Sequence, residues 1–262
     1  MAAKRRPVRT AVITGGAGGL GRALGEALAA RGWRVAVLDL PGPELEAATA
    51  AAVRTYACDV TDAEAVAAVC RRVEAEHETI DLVVYNAGIT QIGLFGETPL
   101  AAQRRVMEIN HFGAVNVAAA LLAAVRRSRG VHLAISSVAG FAPLYRRAAY
   151  SASKHALEGF FRTLREEERE HGVAVSIAAP SFVATNIGRP QAREGGIARP
   201  GSATDGVDYM EPTDAARIIL RGVERRRAFI PVGRVARLAY LLNRLSPPLY
   251  ARLMMRNIRG RR

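Results

Sequence analysis

A tyrosine and a lysine four residues apart, Tyr150 and Lys154, are the pair in this sequence best suited to acid–base chemistry. The chain has 37 basic residues, of which only Lys4 and Lys154 are lysines. Residues four apart lie on the same face of a helix, so the ammonium is predicted to lie beside the phenol. A cation there favours the phenolate, which predicts a Tyr150 pKa below its usual value of about 10. The pair is therefore a candidate general acid and base, although on its own it also fits an ordinary surface helix.

Apolar runs alternate with helical patterns along most of the chain and predict the elements that would position this pair. Predicted strands lie at 11–13, 34–39, 55–58, 82–85, 131–135 and 173–178, and predicted helices at 20–30, 62–76, 99–127 and 149–171. Thr61 is the predicted N-cap of the helix at 62–76. Continuous apolar strands separated by helices indicate a parallel sheet covered on both faces. We therefore predict an α/β fold, a doubly wound parallel sheet of Rossmann type in three α/β/α layers.

The formal net charge of +13 is concentrated at the C-terminus. Residues 217–262 hold 13 arginines and one acid, Glu224, so this segment carries +12 and the rest of the chain +1. We predict one catalytic domain over residues 1–232 and a basic, amphipathic helical extension over residues 233–262. Residues 186–210 are rich in Gly, Pro, Arg and Ser and are predicted to form a mobile loop.

Targeting and redox signals favour a cytoplasmic protein. No stretch reaches the roughly 18 to 20 apolar residues of a membrane span, and the nearest, 109–125, is interpreted as a buried helix. Residues 1–7 are basic and lack the apolar stretch of a secretory signal. Cys58 and Cys70 have no metal-like or redox spacing and are interpreted as reduced, buried thiols. His111 and His132 have no partner spacing that suggests a metal site, so none is predicted.

A glycine-rich turn follows the first predicted strand and opens the first helix. Without side chains its backbone amides can approach a pyrophosphate at the positive end of the helix. Asp39 ends the second strand, where a carboxylate accepts the adenosine ribose hydroxyls and repels a 2′-phosphate. No basic residue follows Asp39, so NAD is favoured over NADP as the cofactor. The predicted cofactor residues of this turn are Gly15, Gly18, Gly19, Leu20 and Gly21.

Further motifs, in order and spacing, make the chain similar to the short-chain dehydrogenase/reductase family, in its compact single-domain branch. The resemblance covers about residues 8–232. Ser137 lies 13 residues before Tyr150 and matches the family's catalytic serine, with Ser136 as the near alternative. The sequence departs from the family pattern at Tyr85, which replaces an asparagine, and at Ser181, which replaces a glycine. The other matching positions are Asp59 and Val60 near adenine, the strand-end motif Asn86, Ala87 and Gly88, the helix residue Asn110, and Pro180, Val183 and Thr185 flanking the nicotinamide.

The resemblance implies an NAD(P)-dependent oxidoreductase that transfers hydride between nicotinamide and a secondary alcohol or ketone. Ser137 would hydrogen-bond the substrate oxygen and Tyr150 would exchange its proton. Lys154 would lower the Tyr150 pKa and hold the nicotinamide ribose, and Asn110 would position a water that relays protons. Singly, each residue could also have a purely structural role: Ser137 could pin its loop, Asn110 could satisfy a helix kink and Asp59 could cap the next helix.

Apolar side chains in two predicted loops indicate a hydrophobic substrate, steroid-like or long-chain. The loop after Thr185 is expected to complete this pocket. These side chains could equally belong to the core. The predicted lining residues are Ile89, Ile92, Leu94, Phe95, Phe141 and Leu144.

The basic extension repeats leucines at helical spacing, at Leu238, Leu241, Leu242 and Leu245. They could pack on the domain or on a second subunit while the arginines face water. Alternatively, the helix could make peripheral contact with an anionic membrane. No recognition motif accompanies the charge, so nucleic acid is not an expected partner. By resemblance, the long helices at 99–127 and 149–171 imply a homodimer or homotetramer.

Two other functions compete with the dehydrogenase. A non-catalytic dinucleotide-binding sensor or scaffold of the same fold should lose the tyrosine, lysine or serine, and here all three are present. A sugar-nucleotide epimerase shares the Tyr-x-x-x-Lys pair but usually has a longer chain with a larger C-terminal substrate domain.

Overall fold

The computed structural model describes residues 8–185, 196–198 and 209–259. The basic N-terminus at 1–7 lies outside these residues, as does most of the predicted loop at 186–210. The strands are β1 (Thr10–Thr14), β2 (Arg34–Asp39), β3 (Val53–Ala57), β4 (Leu82–Tyr85), β5 (Thr90–Gln91), β6 (Val131–Ile135), β7 (Ala174–Pro180), β8 (Ile197–Ala198) and β9 (Phe229–Val232). The helices are α1 (Gly19–Ala29), α2 (Pro43–Glu46), α3 (Ala63–Glu76), α4 (Leu100–Met107), α5 (Gly113–Ser128), α6 (Ala148–Glu167), α7 (Pro212–Glu224), α8 (Arg234–Leu245) and α9 (Pro247–Arg259).

Within the described residues, seven strands form one parallel sheet in the order β3-β2-β1-β4-β6-β7-β9. The chain runs outward from β1 to β3, then returns to pair β4 with the other side of β1. This reversal leaves a crevice at the carboxyl ends of β1 and β4, where ligands bind in open α/β sheets. The short strands β5 and β8 pair antiparallel beside the main sheet. The predicted doubly wound, Rossmann-type sheet is confirmed.

Helices cover both faces of the sheet because alternate strand residues point to opposite sides. In β1, Ala11 and Ile13 pack with residues of α1 and α7, whereas Val12 packs with residues of α3, α5 and α6. The central strands are buried on both faces, which explains their continuous apolar sequences. The fold therefore has the three predicted layers.

Two sequence predictions about these elements are wrong. The six predicted strands do not include β9, because its Pro231 is a residue type typical of turns. Proline is tolerated in β9 because this strand lies at the edge of the sheet and pairs only with β7. Asp62, not Thr61, is the N-cap of α3, since its carboxylate accepts from the backbone N–H groups of Glu64 and Ala65. Thr61 instead donates its hydroxyl and its backbone N–H to Asp59.

The predicted helix at 99–127 is one helical stretch, Leu100–Ser128, interrupted by a π-helical turn at Glu108–Phe112. By length and composition alone this stretch could cross a membrane, and 39% of its most apolar window is buried. Helices in a protein core pass the same test. Here Val117, Leu121 and Val125 of α5 lie in the core, as the sequence predicts for this segment.

The C-terminal helices fold back onto the domain. Ala236 and Ala239 of α8 and Tyr250 of α9 form a small cluster with Val138 and Ala142. The Asn243 side chain donates to the carbonyl of Phe141, 2.6 Å away. The basic extension therefore packs beside the loop that follows β6, close to the predicted catalytic residues.

Candidate active site

A cavity of about 1080 Å³ lies at the carboxyl ends of the parallel strands. Gly15 after β1, Asp39 at the end of β2, Asn86 after β4, Ser137 after β6 and Pro180 at the end of β7 all contribute to its wall. This is the edge of the sheet at which the chain order reverses, so the topology itself brings these distant residues together.

The glycine turn between β1 and α1 has backbone conformations and close contacts that leave no room for side chains. Gly15 and Gly19 adopt φ values of +62° and +56°, which favour glycine. A Cβ on Gly21 would lie 2.2 Å from the Gly15 carbonyl oxygen, so this glycine lets α1 pack tightly on its own turn. The Asn86 amide donates to the Gly15 oxygen at 2.7 Å and holds the turn in place. Backbone N–H groups at the start of α1 therefore remain accessible to an anionic group.

Two carboxylates lie next to this turn. Asp39 accepts from the backbone N–H groups of Ala17 and Leu40, both at 2.9 Å, and lines the cavity. Glu44, in α2, also lines the cavity, and its Oε2 lies 3.8 Å from the position a Cβ on Gly18 would occupy. This end of the cavity is therefore acidic, and sequence reasoning identified only Asp39.

The strand end after β3 contributes Asp59 and Val60 to the cavity. Asp59 does not cap the next helix; it accepts from the backbone and hydroxyl of Thr61 at 2.9 and 2.7 Å and pairs with Arg105 at 3.9 Å. Burial raises the pKa of Asp59, but the Thr61 hydrogen bonds and the Arg105 charge outweigh burial and lower it overall. The alternative of Asp59 as a helix cap is wrong.

Tyr150 and Ser137 meet at the other part of the cavity. Ser137 lies near the start of the loop after β6 and accepts from the Ala139 backbone N–H at 3.2 Å, while Tyr150 lies in the first turn of α6. Burial raises the pKa of Tyr150, whereas the Ser137 hydroxyl and the positive charge of Arg147 lower it. The net pKa is raised, so the predicted lowering by Lys154 is wrong for the protein by itself. The reason is the depth of the phenol, which the sequence does not reveal.

Lys154 lies one helical turn beyond Tyr150, as predicted, and is deeply buried. Its ammonium donates to the Ile135 carbonyl at 2.8 Å and lies 5.8 Å from the centre of the Tyr150 ring. Burial lowers the pKa of Lys154 to about 8, although the nearby Glu158 carboxylate raises it. The structure thus brings the tyrosine, the lysine and the serine to one wall of the cavity.

Glu158 and Ser136 form a buried layer behind Lys154. The Ser136 hydroxyl donates to Glu158 at 2.8 Å, and Arg162 donates to the other carboxylate oxygen at 2.7 Å. A Cβ on Gly140 would lie 2.2 Å from the Ser136 hydroxyl, which explains the glycine beside this pair. Ser136 is therefore engaged with Glu158, and Ser137 is the serine that acts on the Tyr150 hydroxyl.

Asn110 lies in the π-helical turn, behind the cavity wall. Its amide accepts from the Ile89 backbone N–H at 2.8 Å and donates to the Ile89 carbonyl and to the Ser153 hydroxyl, both at 2.9 Å. The side chain thus fixes the loop after β4 to α6. A π turn of this kind often marks a functional position, and the proposed water-holding role of Asn110 stays a prediction.

The wall of the cavity is mainly apolar, and part of its lining was not predicted. Ile89, Ile92 and Leu144 line it as expected. Phe95 instead faces solvent, and Phe141 packs edge-on against Phe229 and Tyr240, so neither lines the cavity. Leu94 is also absent from the lining and is exposed. Tyr209, in the loop after Thr185, also lines the cavity as expected, and the unpredicted lining residues are Phe182, Val235, Leu238, Leu242, Leu253 and Met254.

Tyr85 and Ser181, the two residues that depart from the family pattern, each make a structural contact in this chain. Tyr85 is buried in the core, where its hydroxyl lies 2.6 Å from Nδ1 of His132. Ser181 donates its backbone N–H to the Val232 carbonyl at 3.2 Å, which fixes the cavity edge to the end of β9.

Of the predicted site residues, all but two line the cavity. The exceptions are Gly21, which permits close packing of the turn, and Asn110, which holds the loop at Ile89. In the described part of the chain no group of three His, Cys, Asp or Glu side chains could hold a metal ion. Arg147 was missed; it is buried, lines the cavity and lies three residues before Tyr150.

Known proteins match both the sequence and the fold. A family model described as short chain dehydrogenase matches residues 9–195. Dehydrogenase/reductase SDR family member 7B of Bos taurus is 33% identical and aligns with 98% of this chain and 84% of its own length. A short chain dehydrogenase from Burkholderia cenocepacia, solved in complex with NADP, superposes with a TM-score of 0.82 at 25% identity, over 95% of this chain and 98% of that one. A short chain dehydrogenase/reductase from Burkholderia phymatum, solved with NAD, shares the fold with a TM-score of 0.75 at 23% identity, over 86% of this chain and 88% of that one.

Proposed function

Because this chain belongs to the short-chain dehydrogenase/reductase family, we propose that it transfers hydride between a nicotinamide dinucleotide and a secondary alcohol or ketone on an apolar substrate. The observation that carries this proposal is the convergence of Ser137, Tyr150 and Lys154 on the same cavity as the glycine turn. None of these residues alone is diagnostic of hydride transfer, but their common location in one cavity supports this reaction.

The residues present fit a dinucleotide. At the glycine turn, the backbone conformations of Gly15 and Gly19 and the accessible start of α1 suit a pyrophosphate. Asp39 lies at the end of the cavity that suits the adenosine ribose, and Lys154 lies beside Tyr150 in the other part of the cavity. The cavity can therefore hold both halves of such a molecule. When bound, the nicotinamide supplies or accepts the hydride.

Tyr150 is proposed to exchange the proton. With its pKa raised, the half-buried phenol is neutral at neutral pH, which is the form that donates to a carbonyl oxygen during reduction. Oxidation needs the phenolate, which the positive charge of Arg147 and the Ser137 hydroxyl favour.

Ser137 is proposed to hold the substrate oxygen next to Tyr150, because its hydroxyl is aimed at the same part of the cavity. A donor fixed in this way stabilises negative charge as it develops on that oxygen. Lys154 is proposed to bind a ribose hydroxyl. Its ammonium has one bond to the Ile135 carbonyl and therefore retains N–H groups for further donation.

We propose NAD as the preferred cofactor. Asp39 and Glu44 both line the adenosine end of the cavity, so a 2′-phosphate there would meet two carboxylates. Solved relatives bind either NAD or NADP, so the family alone does not make this choice. The preference rests on the acidic pair, of which Asp39 is held by two backbone N–H groups.

We propose an apolar substrate, steroid-like or long-chain. The cavity lining includes the apolar side chains of Ile92, Leu144 and Phe182 together with apolar residues of the C-terminal helices. A polar substrate would gain few hydrogen bonds from these side chains and would lose water on binding.

The test is a titration of the purified chain with NADH and with NADPH, followed by turnover of matched apolar and polar ketones. We expect tighter NADH binding and turnover confined to the apolar ketones. Turnover of small charged substrates alone would contradict the substrate proposal. Cofactor binding without turnover of any ketone or alcohol would instead favour a non-catalytic dinucleotide sensor.

A further inference from the structure

A row of leucines on the outer face of the C-terminal helices is exposed to solvent. Leu238, Leu241 and Leu245 of α8 and Leu249 of α9 are 59%, 56%, 82% and 43% exposed. Of the four predicted leucines, Leu242 packs against the domain and Leu238 lies at the cavity. The alternative that the leucines pack on the domain does not hold for the exposed Leu241 and Leu245, and packing on a second subunit stays a prediction. A run of large apolar side chains in water marks a contact surface.

Arginines flank this leucine row, and acids do not. Arg234, Arg237, Arg244 and Arg252 are exposed, and in the described part of the chain none of them pairs with a carboxylate. The sequence contains no Asp or Glu after Glu224. This surface therefore combines apolar area with uncompensated positive charge, so its partner should be apolar and anionic.

The same helices form one wall of the substrate cavity. Val235, Leu242 and Leu253 line the cavity, while Leu238 both lines it and is more than half exposed. Leu238 therefore marks a place where the rim of the cavity meets the leucine row. Whatever covers the row also lies against the opening through which an apolar molecule would pass.

We propose that the leucine row and its arginines dock the enzyme on an anionic lipid bilayer, with the rim of the cavity at the membrane surface. Leucines would reach the boundary of the acyl chains while arginines contact anionic headgroups. A second copy of this chain fits less well. In a twofold interface the same patch meets itself, so two strongly basic patches would come together without acids of their own to offset the charge.

This inference deepens the proposed function, since a bilayer would supply the apolar substrate directly to the cavity. Docking itself requires neither cofactor nor turnover. The two proposals can therefore fail separately, because vesicle binding and ketone reduction are measured independently.

The experiment is co-sedimentation of the full chain with phosphatidylcholine vesicles, with and without phosphatidylserine. We expect binding to the anionic vesicles only, weakened by added salt. Arg237→Gln with Arg244→Gln should reduce partitioning by about fivefold for each arginine removed. Leu241→Ser with Leu245→Ser should reduce it by about tenfold or more, because both leucines lose apolar burial in the interface.

The matched control is Leu100→Ser with Arg169→Gln, which removes an exposed leucine and an exposed arginine elsewhere. This control should bind like the wild type. Neither Leu241 nor Leu245 lines the cavity, so their double variant should reduce a detergent-solubilised ketone at the wild-type rate.

Three results would overturn the proposal. The first is wild-type protein that stays in the supernatant with anionic vesicles. The second is a leucine variant that sediments as well as the wild type. The third is light scattering that shows a wild-type oligomer which the leucine variant cannot form, since a second copy would then cover the row.

Discussion

The buried ammonium of Lys154 predicts a dependence of stability on pH that replacement by methionine should remove. Burial lowers the pKa of Lys154 from 10.5 to about 8 in the folded protein. Between these values the unfolded chain binds the proton more strongly than the folded protein does. The free energy of unfolding should therefore rise with pH across this window. Above the window Lys154 is neutral in both the folded and the unfolded chain, so the penalty for burying its charge is absent.

The magnitude follows from the two pKa values. The penalty for holding the buried ammonium is about 3 kcal/mol at about pH 7 and about 1 kcal/mol at about pH 10. Lys154 should therefore add about 2 kcal/mol to the unfolding free energy over that interval. Lys154→Met should lack this increase with pH. Any effect of the substitution that does not depend on pH leaves the slope of unfolding free energy against pH unchanged, so the comparison of slopes isolates the titration of Lys154.

The assay is urea unfolding of the wild type, Lys154→Met and Lys4→Met across that pH range. Lys4 is the other lysine of the chain, so Lys4→Met is the matched control and should keep the wild-type slope. Because the chain has two lysines, selective isotope labelling of lysine should give two NMR titration curves, one of them with a pKa near 8. Parallel slopes for wild type and Lys154→Met, or two ordinary lysine titrations, would refute the reasoning.

Three further changes test neighbouring parts of the site. Asp39→Asn should reduce the preference for NADH over NADPH by about 30-fold in a fluorescence titration, because it removes one of the charges that repel a 2′-phosphate; an unchanged ratio would contradict this. Asn110→Ala should lower the unfolding free energy by about 2–4 kcal/mol in urea, since both backbone groups of Ile89 lose their partner. Asn116→Ala, which removes one bond to Val60, should cost about half as much, and equal losses would argue against this account. Glu158→Gln should lower the Lys154 pKa further in the NMR titration, because the carboxylate raises it; a higher value would show the reasoning wrong.

Local sequence patterns predicted most of the sheet. The bounds of β2, β4 and β6 match the predicted strands at 34–39, 82–85 and 131–135, because short continuous apolar runs between turns are typical of strands buried on both faces. β9 escaped this reasoning, since Pro231 is acceptable only at an edge, and edge position is a property of the whole sheet. The cap of α3 was misplaced by one residue, from Asp62 to Thr61, because both types are good caps and their geometry decides.

The candidate site was predictable where motifs place residues at strand ends. The spacing before Tyr150 selected Ser137 over Ser136, and the structure shows Ser136 engaged with Glu158. The Tyr150 pKa was predicted in the wrong direction because burial depends on packing from distant elements. The contribution of α8 and α9 to the cavity was missed for the same reason, since no local pattern shows where an amphipathic helix returns to the domain.

The most direct test of the proposed chemistry is Tyr150→Phe, compared with the wild type for NADH binding and for NADH-dependent reduction of an apolar ketone. Phenylalanine keeps the ring and removes only the hydroxyl, so the proton donor is lost while the cofactor site is kept. We predict unchanged NADH affinity and a turnover reduced by about 100- to 10,000-fold. Turnover by Tyr150→Phe at the wild-type rate would contradict the central claim.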